Sequence, residues 1–165
     1  MGKIRKRHPA PGLAALLVFA MCLGLGGQDE NLLKIEGSVQ PKRLSRGEEG
    51  RIVIKLQVQK GVFLSSQPFF IIEFVPVPEI VFPKNFFTAS DLNIGLIEDK
   101  AGSSIDLSKP IEVPFTVSTD AKPGGHILLG KIKYFARSAQ EDWCYKTTSK
   151  FSVAFSTRTT VFKKK

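Results

Sequence analysis

The segment Arg51–Gln59 restricts the fold more than any other part of the chain, because its side chains alternate between polar and apolar. Every second residue is aliphatic: Ile52, Ile54, Leu56 and Val58. Successive side chains of a β-strand point to opposite sides of the sheet, so a period of two indicates a strand with one buried and one solvated face. The pattern predicts an antiparallel strand whose outer face meets water.

The rest of the chain continues in short apolar or alternating pieces separated by proline and glycine. These pieces are Val62–Leu64, Phe69–Val75, Ile111–Val117, Ile127–Phe135 and Lys150–Phe155. No helical periodicity appears after residue 27. Seven or eight short strands with proline and glycine turns predict an all-β fold, an immunoglobulin-like antiparallel β-sandwich, over residues 28–160.

Two stretches are less regular. Asn85–Ser104 has poor periodicity and is expected to be a long loop with one short strand. Pro114 lies within the alternating segment Ile111–Val117. Proline has no backbone N–H, so this side of the strand is expected to face an edge or a bulge.

Residues 1–27 have the pattern of a secretory signal peptide, which would form a signal helix. Four basic residues precede the apolar run Leu13–Leu25, and Gly24 and Gly26 are small residues suited to a cleavage site. The run is shorter than the ~20 residues of a membrane span, so membrane contact would be transient. We expect a periplasmic or secreted chain. The alternative is a lipid anchor at Cys22, although Met21 stands where a lipoprotein signal has a small residue.

The charge distribution argues against a nucleic-acid partner. The chain has 24 basic and 15 acidic residues, a formal net charge of +9. Four of the basic residues lie in the predicted signal peptide, and three more lie in a basic tail at residues 161–165. The body between them is close to neutral and has no basic stripe interleaved with aromatic residues, so we expect no nucleic acid among its partners.

Cleavage of the signal peptide would leave Cys144 as the only cysteine. A single cysteine cannot form an internal disulfide, and with the one remaining histidine, His126, it cannot supply the four ligands of a structural zinc site. We therefore expect no metal and no cofactor. His126 has no carboxylate or nucleophile beside it in the sequence, so a general-base role is not expected.

The last third of the chain resembles a known family. The turn Lys122-Pro-Gly-Gly125 precedes a strand that ends in Tyr134-Phe135, and a polar turn then leads to Trp143-Cys144-Tyr145. This order is similar to that in the N-terminal domain of the thiol:disulfide interchange protein DsbD. Gly61–Leu64 and Ile111–Val117 resemble earlier strands of the same family, so the likeness covers nearly all of the mature chain.

The resemblance implies an immunoglobulin-like periplasmic domain in which two cysteines pass reducing equivalents from a membrane reductase to thioredoxin-like proteins. By position, Cys144 matches the second of these cysteines and Ser138 matches the first. Phe86 or Phe87 would match the phenylalanine that caps the pair. Because a serine hydroxyl cannot resolve a mixed disulfide, we expect an incomplete relay rather than an autonomous enzyme.

The residues beside Cys144 leave its role open. In an extended segment Trp143 and Tyr145 share one face, while Asp142, Cys144 and Lys146 share the other, which is expected to face solvent. Trp143 and Tyr145 are candidates for partner binding, with core or sheet-face packing as the alternative. Two functions follow: thiol–disulfide interchange with a thioredoxin-like or membrane thiol-disulfide reductase partner, or a non-catalytic binding or structural module with an incidental free thiol.

Overall fold

The computed structural model of the protein consists of strands and connecting loops, and it describes residues 32–99, 102–138, 140–141 and 143–158. The predicted signal peptide, Cys22, Asp142 and the basic tail lie outside the described residues. No helix occurs in the described ranges, so none there is long and apolar enough to cross a membrane. The predicted all-β fold is confirmed.

Twelve strands follow one another along the described chain. The first six are β1 (Leu33–Gln40), β2 (Arg43–Ser45), β3 (Glu49–Val58), β4 (Val62–Ser65), β5 (Ile71–Phe74) and β6 (Ile80–Val81). The other six are β7 (Phe86–Thr88), β8 (Leu96–Asp99), β9 (Gly102–Ile105), β10 (Ile111–Val117), β11 (Gly124–Ser138) and β12 (Cys144–Arg158).

The strands form two sheets that pack against each other as an immunoglobulin-like sandwich. Sheet A has the order β1-β3-β10-β6, with antiparallel neighbours. Sheet B is built on the antiparallel hairpin of β11 and β12. On its other side β11 pairs with β4 and with β5. β4 pairs in turn with β9, which pairs with β8, and β5 pairs with β7. The short strand β2 pairs with the end of β12 and is the one parallel neighbour among the described strands.

The hydrophobic core lies between the inner faces of the two sheets. On sheet A the predicted apolar faces are confirmed, because Ile52, Ile54 and Leu56 of β3 and the odd-numbered residues of β10 are buried. Sheet B contributes the even-numbered residues of β11, among them Leu128 and Tyr134. Burial raises the pKa of Tyr134, and its hydroxyl lies 3.0 Å from Ser149 Oγ, which satisfies the polar atom inside the core.

A close approach of β1 to β12 explains why residue 37 is a glycine. A Cβ on Gly37 would lie 2.6 Å from Cγ2 of Val153 and 3.7 Å from the carbonyl oxygen of Ser152. Only glycine fits here without moving Val153. Gly37 therefore lets β1 pass the edge of β12 near Ser152.

The segment Asn85–Ser104 differs from the expected loop with one strand. It contains β7, β8 and nearly all of β9, each three or four residues long. Strands this short show no clear alternation. β7 pairs with β5, β9 pairs with β4, and β8 pairs with its neighbour β9. The prediction was wrong because pairing with other strands, rather than alternation within each segment, forms these strands.

Pro114 lies as expected at an open side of its strand. The N–H of Val117 donates to Glu48 on the β3 side, and the N–H of Ser118 donates to Glu79 on the other side. Alternation along β10 therefore directs the nitrogen of Pro114 away from β3. On that side β6 pairs only with Thr116 and Val117, so no ladder hydrogen bond is lost.

Candidate functional site

Cys144 and Ser138 are neighbours at the end of the β11–β12 hairpin, but they lie on opposite faces of it. The N–H of Ser138 donates to the carbonyl oxygen of Trp143 at 3.1 Å, and Arg137 pairs with Cys144. Residues directly opposite each other in an antiparallel pair share a face, and successive residues alternate. Cys144 therefore shares a face with Arg137, and Ser138 shares the other face with Trp143.

The hydroxyl of Ser138 stabilises the turn. Its Oγ accepts hydrogen bonds from the backbone N–H groups of Gln140 and Glu141, both at 3.1 Å. A cysteine at position 138 would direct its Cβ away from Cys144, and such a pair cannot form a disulfide without backbone movement. The geometry gives no support to the correspondence of Ser138 and Cys144 with a cysteine pair.

Trp143 and Tyr145 share a face, as the alternation predicts. Their rings stack with centroids 4.8 Å apart, and Trp143 Nε1 donates to Glu141 at 3.1 Å. Trp143 is half-buried against the hydrophobic core, whereas Tyr145 is exposed. Of the two alternatives, Trp143 has the packing role, and Tyr145 is the residue of the pair that is accessible to solvent.

Phe86 and Phe87 lie far from Cys144. Phe87 is buried and packs edge-on against Phe74, with centroids 6.4 Å apart. Phe86 pairs with Glu73, which pairs with Lys131 of β11. Lys131 is six residues from the partner of Cys144, about 20 Å along the strand. Neither phenylalanine is placed to cap the thiol.

The thiol end of the hairpin has different aromatic neighbours. Cys144 is exposed and free. Beside it, the guanidinium carbon of Arg137 lies 5.4 Å from the ring centroid of Phe63, and Nζ of Lys146 lies 5.2 Å from that of Phe69. Both are cation–π distances. Two cations that share the face of the thiol are thus held over aromatic rings.

This thiol end is part of a larger surface, which we call the outer face of sheet B. It consists of alternate residues of β11 from Ile127 to Arg137 and of β12 from Cys144 to Ala154, with Glu73, Val75 and Phe86 beside them. All of these point away from the core, because the residues between them point into it.

One end of the outer face of sheet B is apolar. Its members are Val75 (53% exposed), Phe86 (50%), Ile127 (67%) and Leu129 (52%). Val75 and Leu129 are neighbours across the strands, since the N–H of Val75 donates to the carbonyl oxygen of Leu129 at 2.8 Å. A shallow cavity of about 440 Å³ lies here, lined by these two residues, Phe151 and Lys150 among others. Large hydrophobic residues are grouped here rather than scattered.

The middle of the outer face of sheet B is basic. Lys133 and Lys131 bind Glu73 with N–O distances of 2.6 and 2.9 Å, and these hydrogen bonds lower the pKa of Glu73. The defining residues include four lysines, Lys131, Lys133, Lys146 and Lys150, against the single carboxylate of Glu73. The face therefore has an excess of positive charge.

His126 has neighbours that the sequence did not indicate. Its Nε2 lies 2.8 Å from Oγ1 of Thr157, and its Nδ1 lies 3.9 Å from the carboxylate of Glu79. The expectation of no nearby nucleophile or carboxylate was wrong, because both come from distant parts of the chain. Thr157 is only 6% exposed, and its hydroxyl donates to the carbonyl oxygen of Lys122. This group connects the loop at Lys122 to the last strand.

No metal site is found in the described ranges, where no three His, Cys, Asp or Glu side chains are grouped to hold an ion. The described reactive group is the exposed thiol of Cys144. Of the predicted site residues, the hairpin brings Ser138, Trp143, Cys144 and Tyr145 together along the chain, and it leaves Phe86 and Phe87 elsewhere.

Comparison with known proteins adds information on the fold alone. No protein-family model matches the chain, and no curated protein matches it. Similar solved structures include the seventh ScaB type I cohesin from Pseudobacteroides cellulosolvens, at 8% identity, with 79% of this chain and 96% of that chain covered and a TM-score of 0.38. The type I cohesin–dockerin complex Coh-OlpA-Doc918 from Clostridium thermocellum gives 17% identity, 76% and 99% coverage and a TM-score of 0.36. AggA, the major subunit of aggregative adherence fimbriae type I from Escherichia coli, is 11% identical, with 76% of this chain and 95% of that chain covered and a TM-score of 0.32.

These likenesses are too distant to carry an argument about family or partner. The class of protein rests on the described strands themselves, which form an immunoglobulin-like β-sandwich. A fold of this kind supports many unrelated functions, so function has to be argued from the surface.

Proposed function

We propose that this protein is a non-catalytic, immunoglobulin-like binding module that contacts another protein through the outer face of sheet B. The observation that carries the proposal is the grouping of Val75, Phe86, Ile127 and Leu129, each at least half exposed, on one sheet face. Grouped exposed hydrophobic residues beside polar ones are typical of protein interfaces, whereas single exposed ones are ordinary.

The charges beside this apolar group indicate the chemistry of the partner. Lys131 and Lys150 border the apolar end, and Glu73 neutralises only part of the charge. Complementary charges orient two proteins and exclude wrong partners. The partner is therefore expected to present a surface with apolar and acidic side chains.

Site-specific photo-crosslinking in cells that make the full chain tests this proposal. A p-benzoylphenylalanine residue replaces Leu129 in one variant and Val81 in the other. Val81 is equally exposed, at 57%, but lies on sheet A. We expect a discrete crosslinked partner from position 129 and none from position 81.

A second substitution links the crosslink to the charge of the face. Lys131→Glu in the Leu129 variant is expected to remove the adduct, while Lys55→Glu on sheet A leaves it intact. Equal crosslinking at positions 129 and 81, or an adduct insensitive to Lys131→Glu, would contradict the proposal.

A second candidate function is thiol–disulfide exchange, favoured by the exposure of the free Cys144 next to two cations. The Cys144 thiolate would attack a disulfide of a thioredoxin-like or membrane reductase partner, forming a mixed disulfide and releasing one partner sulfur as a thiolate. A thiol from another molecule would then resolve it. Both candidates place the chain in the periplasm or outside the cell, which the pattern of residues 1–27 supports.

Two variants test this candidate. A mixed disulfide with a purified thioredoxin-like protein, lost in Cys144→Ala, would support it, and its absence from folded protein would count against it. Ser138→Cys tests the resemblance itself. We expect no disulfide with Cys144 because the two side chains lie on opposite faces, so rapid bridging in air would restore the two-cysteine interpretation.

A further inference from the structure

One edge of β12, from Cys144 to Lys150, has no strand partner in the described part of the chain. On its other side β12 pairs with β11 throughout. On the open side β2 pairs only with Ser156–Arg158, and β1 passes near Ser152 without pairing. The open edge, Cys144–Lys150, lies beyond both toward the hairpin end; it is seven residues long and extended.

The alternation of hydrogen bonds shows which backbone groups are open. Ser138 donates to the carbonyl of Trp143 across the hairpin, so odd-numbered residues of β12 bond to β11. Consistently, the N–H of the even-numbered Ser156 points the other way and donates to Lys42. The N–H and C=O groups of Cys144, Lys146, Thr148 and Lys150 therefore point outward from the edge.

In the described part of the chain, this edge is protected by charged side chains and not by proline or a bulge. Natural proteins protect such edges with proline, a bulge, a very short strand or a covering loop, or with charged side chains. Cys144–Lys150 has a continuous register with β11 and contains no proline. What it carries is charge, from Lys146 and Lys150, and both side chains lie on the outer face of sheet B.

We infer that this edge binds an extended acidic segment of another protein, which adds to sheet B as an antiparallel strand. Backbone hydrogen bonds to the outward groups of Lys146 and Thr148 would supply affinity, as in other cases of strand addition. Carboxylates on alternate residues of the added strand would face Lys146 and Lys150, which supplies specificity. The inference rests on the proposed binding function and names the partner's conformation and charge.

Charge favours this occupant over a second copy of the chain. Pairing two copies through this edge would bring four lysines, two from each copy, to one face of a single ribbon. Like charges on neighbouring strands destabilise their pairing. An acidic strand instead meets the positive charge of the outer face of sheet B, where Glu73 is the one carboxylate among the defining residues.

The inference can be tested with a synthetic peptide and the purified chain. The probe is a fluorescein-labelled peptide as long as the open edge, with alternating glutamate and valine, and binding is followed by fluorescence anisotropy. One control peptide has lysine in place of glutamate. A second control keeps glutamate but carries N-methyl groups on alternate amides, which cannot donate. We expect binding of the acidic peptide only, weakened by added salt.

Substitution of Thr148 separates backbone pairing from charge. Thr148→Pro removes one outward N–H and leaves the bonds to β11, which use the odd-numbered residues, whereas Thr148→Ala keeps the N–H. We expect binding about fivefold to tenfold weaker in Thr148→Pro than in Thr148→Ala, the effect of one lost hydrogen bond. Thermal unfolding of both variants verifies that they are folded, and N-methylation of the peptide probes the same bonds in the native chain.

Charge reversal provides the matched control. Lys146→Glu together with Lys150→Glu is expected to abolish binding of the acidic peptide, while Lys55→Glu on sheet A leaves it unchanged. Binding of the N-methylated peptide equal to that of the acidic one would overturn strand addition. So would a dimer of the free chain in sedimentation that Thr148→Pro dissociates, because a second copy would then occupy the edge.

The two proposals fail in different ways. If no peptide binds while the crosslink at Leu129 persists, the edge proposal is wrong and the binding face stands. If the peptide binds while no crosslink forms at Leu129, the edge is the docking site and the proposed face is wrong.

Discussion

The outer faces of the two sheets are built on the same alternation, but they use their charges differently. On sheet A the charged residues are balanced, with Lys34, Arg51 and Lys55 against Glu36, Glu49 and Glu112. They also pair with one another, at 2.8 Å for Lys34 and Glu36 and 3.1 Å for Arg51 and Glu112. On the outer face of sheet B, four lysines stand against one carboxylate, that of Glu73.

The apolar residues reinforce this contrast. The outer face of sheet A exposes Val81 at its edge, whereas that of sheet B exposes four large hydrophobic residues together. Neither difference is needed to form a sandwich, because both outer faces lie outside the core. This contrast in charge and exposed apolar residues is the reason why the proposed binding surface is placed on sheet B rather than on sheet A.

The largest expected effect is a difference in unfolding free energy between substitutions on the inner and the outer face of sheet B. Leu128 is fully buried and Leu129 is exposed, although they are adjacent. Leu128→Ala is expected to lower the free energy of unfolding by about 2–5 kcal/mol, and Leu129→Ala should change it by less than about 0.5 kcal/mol. Urea denaturation measures both. A large loss of stability in Leu129→Ala would mean that this residue supports the fold rather than binding.

A smaller effect distinguishes the charges of the two outer faces. Glu73→Gln leaves Lys131 and Lys133 without their shared carboxylate, and it is expected to cost about 1 kcal/mol of unfolding free energy. Glu112→Gln removes one exposed ion pair on sheet A and should cost about 0.3 kcal/mol or less. Equal costs, measured by urea denaturation at neutral pH, would remove the electrostatic difference between the faces.

The smallest effect concerns the pH dependence of stability. Hydrogen bonds from Lys133 and Lys131 lower the pKa of Glu73 in the folded chain. This contribution to stability is therefore present above the ordinary glutamate pKa of about 4.3, and it is lost as the pH falls through the lowered folded value. The stability difference between wild type and Glu73→Gln should shrink on acidification from pH 7 to 3. An unchanged difference would show that Glu73 acts through packing rather than charge.

Much of the sandwich follows from local pattern. The buried faces of β3 and β10 were correctly predicted from alternation, because burial of every second side chain is a local property of a strand against a core. The open side of Pro114 followed from residue chemistry, whereas Gly124 and Gly125 of the predicted turn Lys122–Gly125 lie within β11. The short strands β7, β8 and β9 did not follow from local pattern, since they are too short to show alternation and form by pairing, β7 with β5, β9 with β4 and β8 with β9.

The candidate site shows the same division. The shared face of Trp143 and Tyr145 was predictable, because the residues are two apart on one strand. The positions of Phe86 and Phe87 were not, since strand order places β7 beside β5 and away from the hairpin end. The Thr157 and Glu79 neighbours of His126 likewise come from parts of the chain far from it in sequence, one on each side.

By itself, the sequence determined the all-β class, the inward faces of the main strands and the presence of one cysteine in the body of the chain. These depend on period-two burial and on composition, which neighbouring residues specify. Only the tertiary structure decided that Ser138 and Cys144 face opposite sides, that the cations gather on sheet B and that an edge of β12 is open. Each of these depends on how strands pair, in register and in order, which local pattern does not encode.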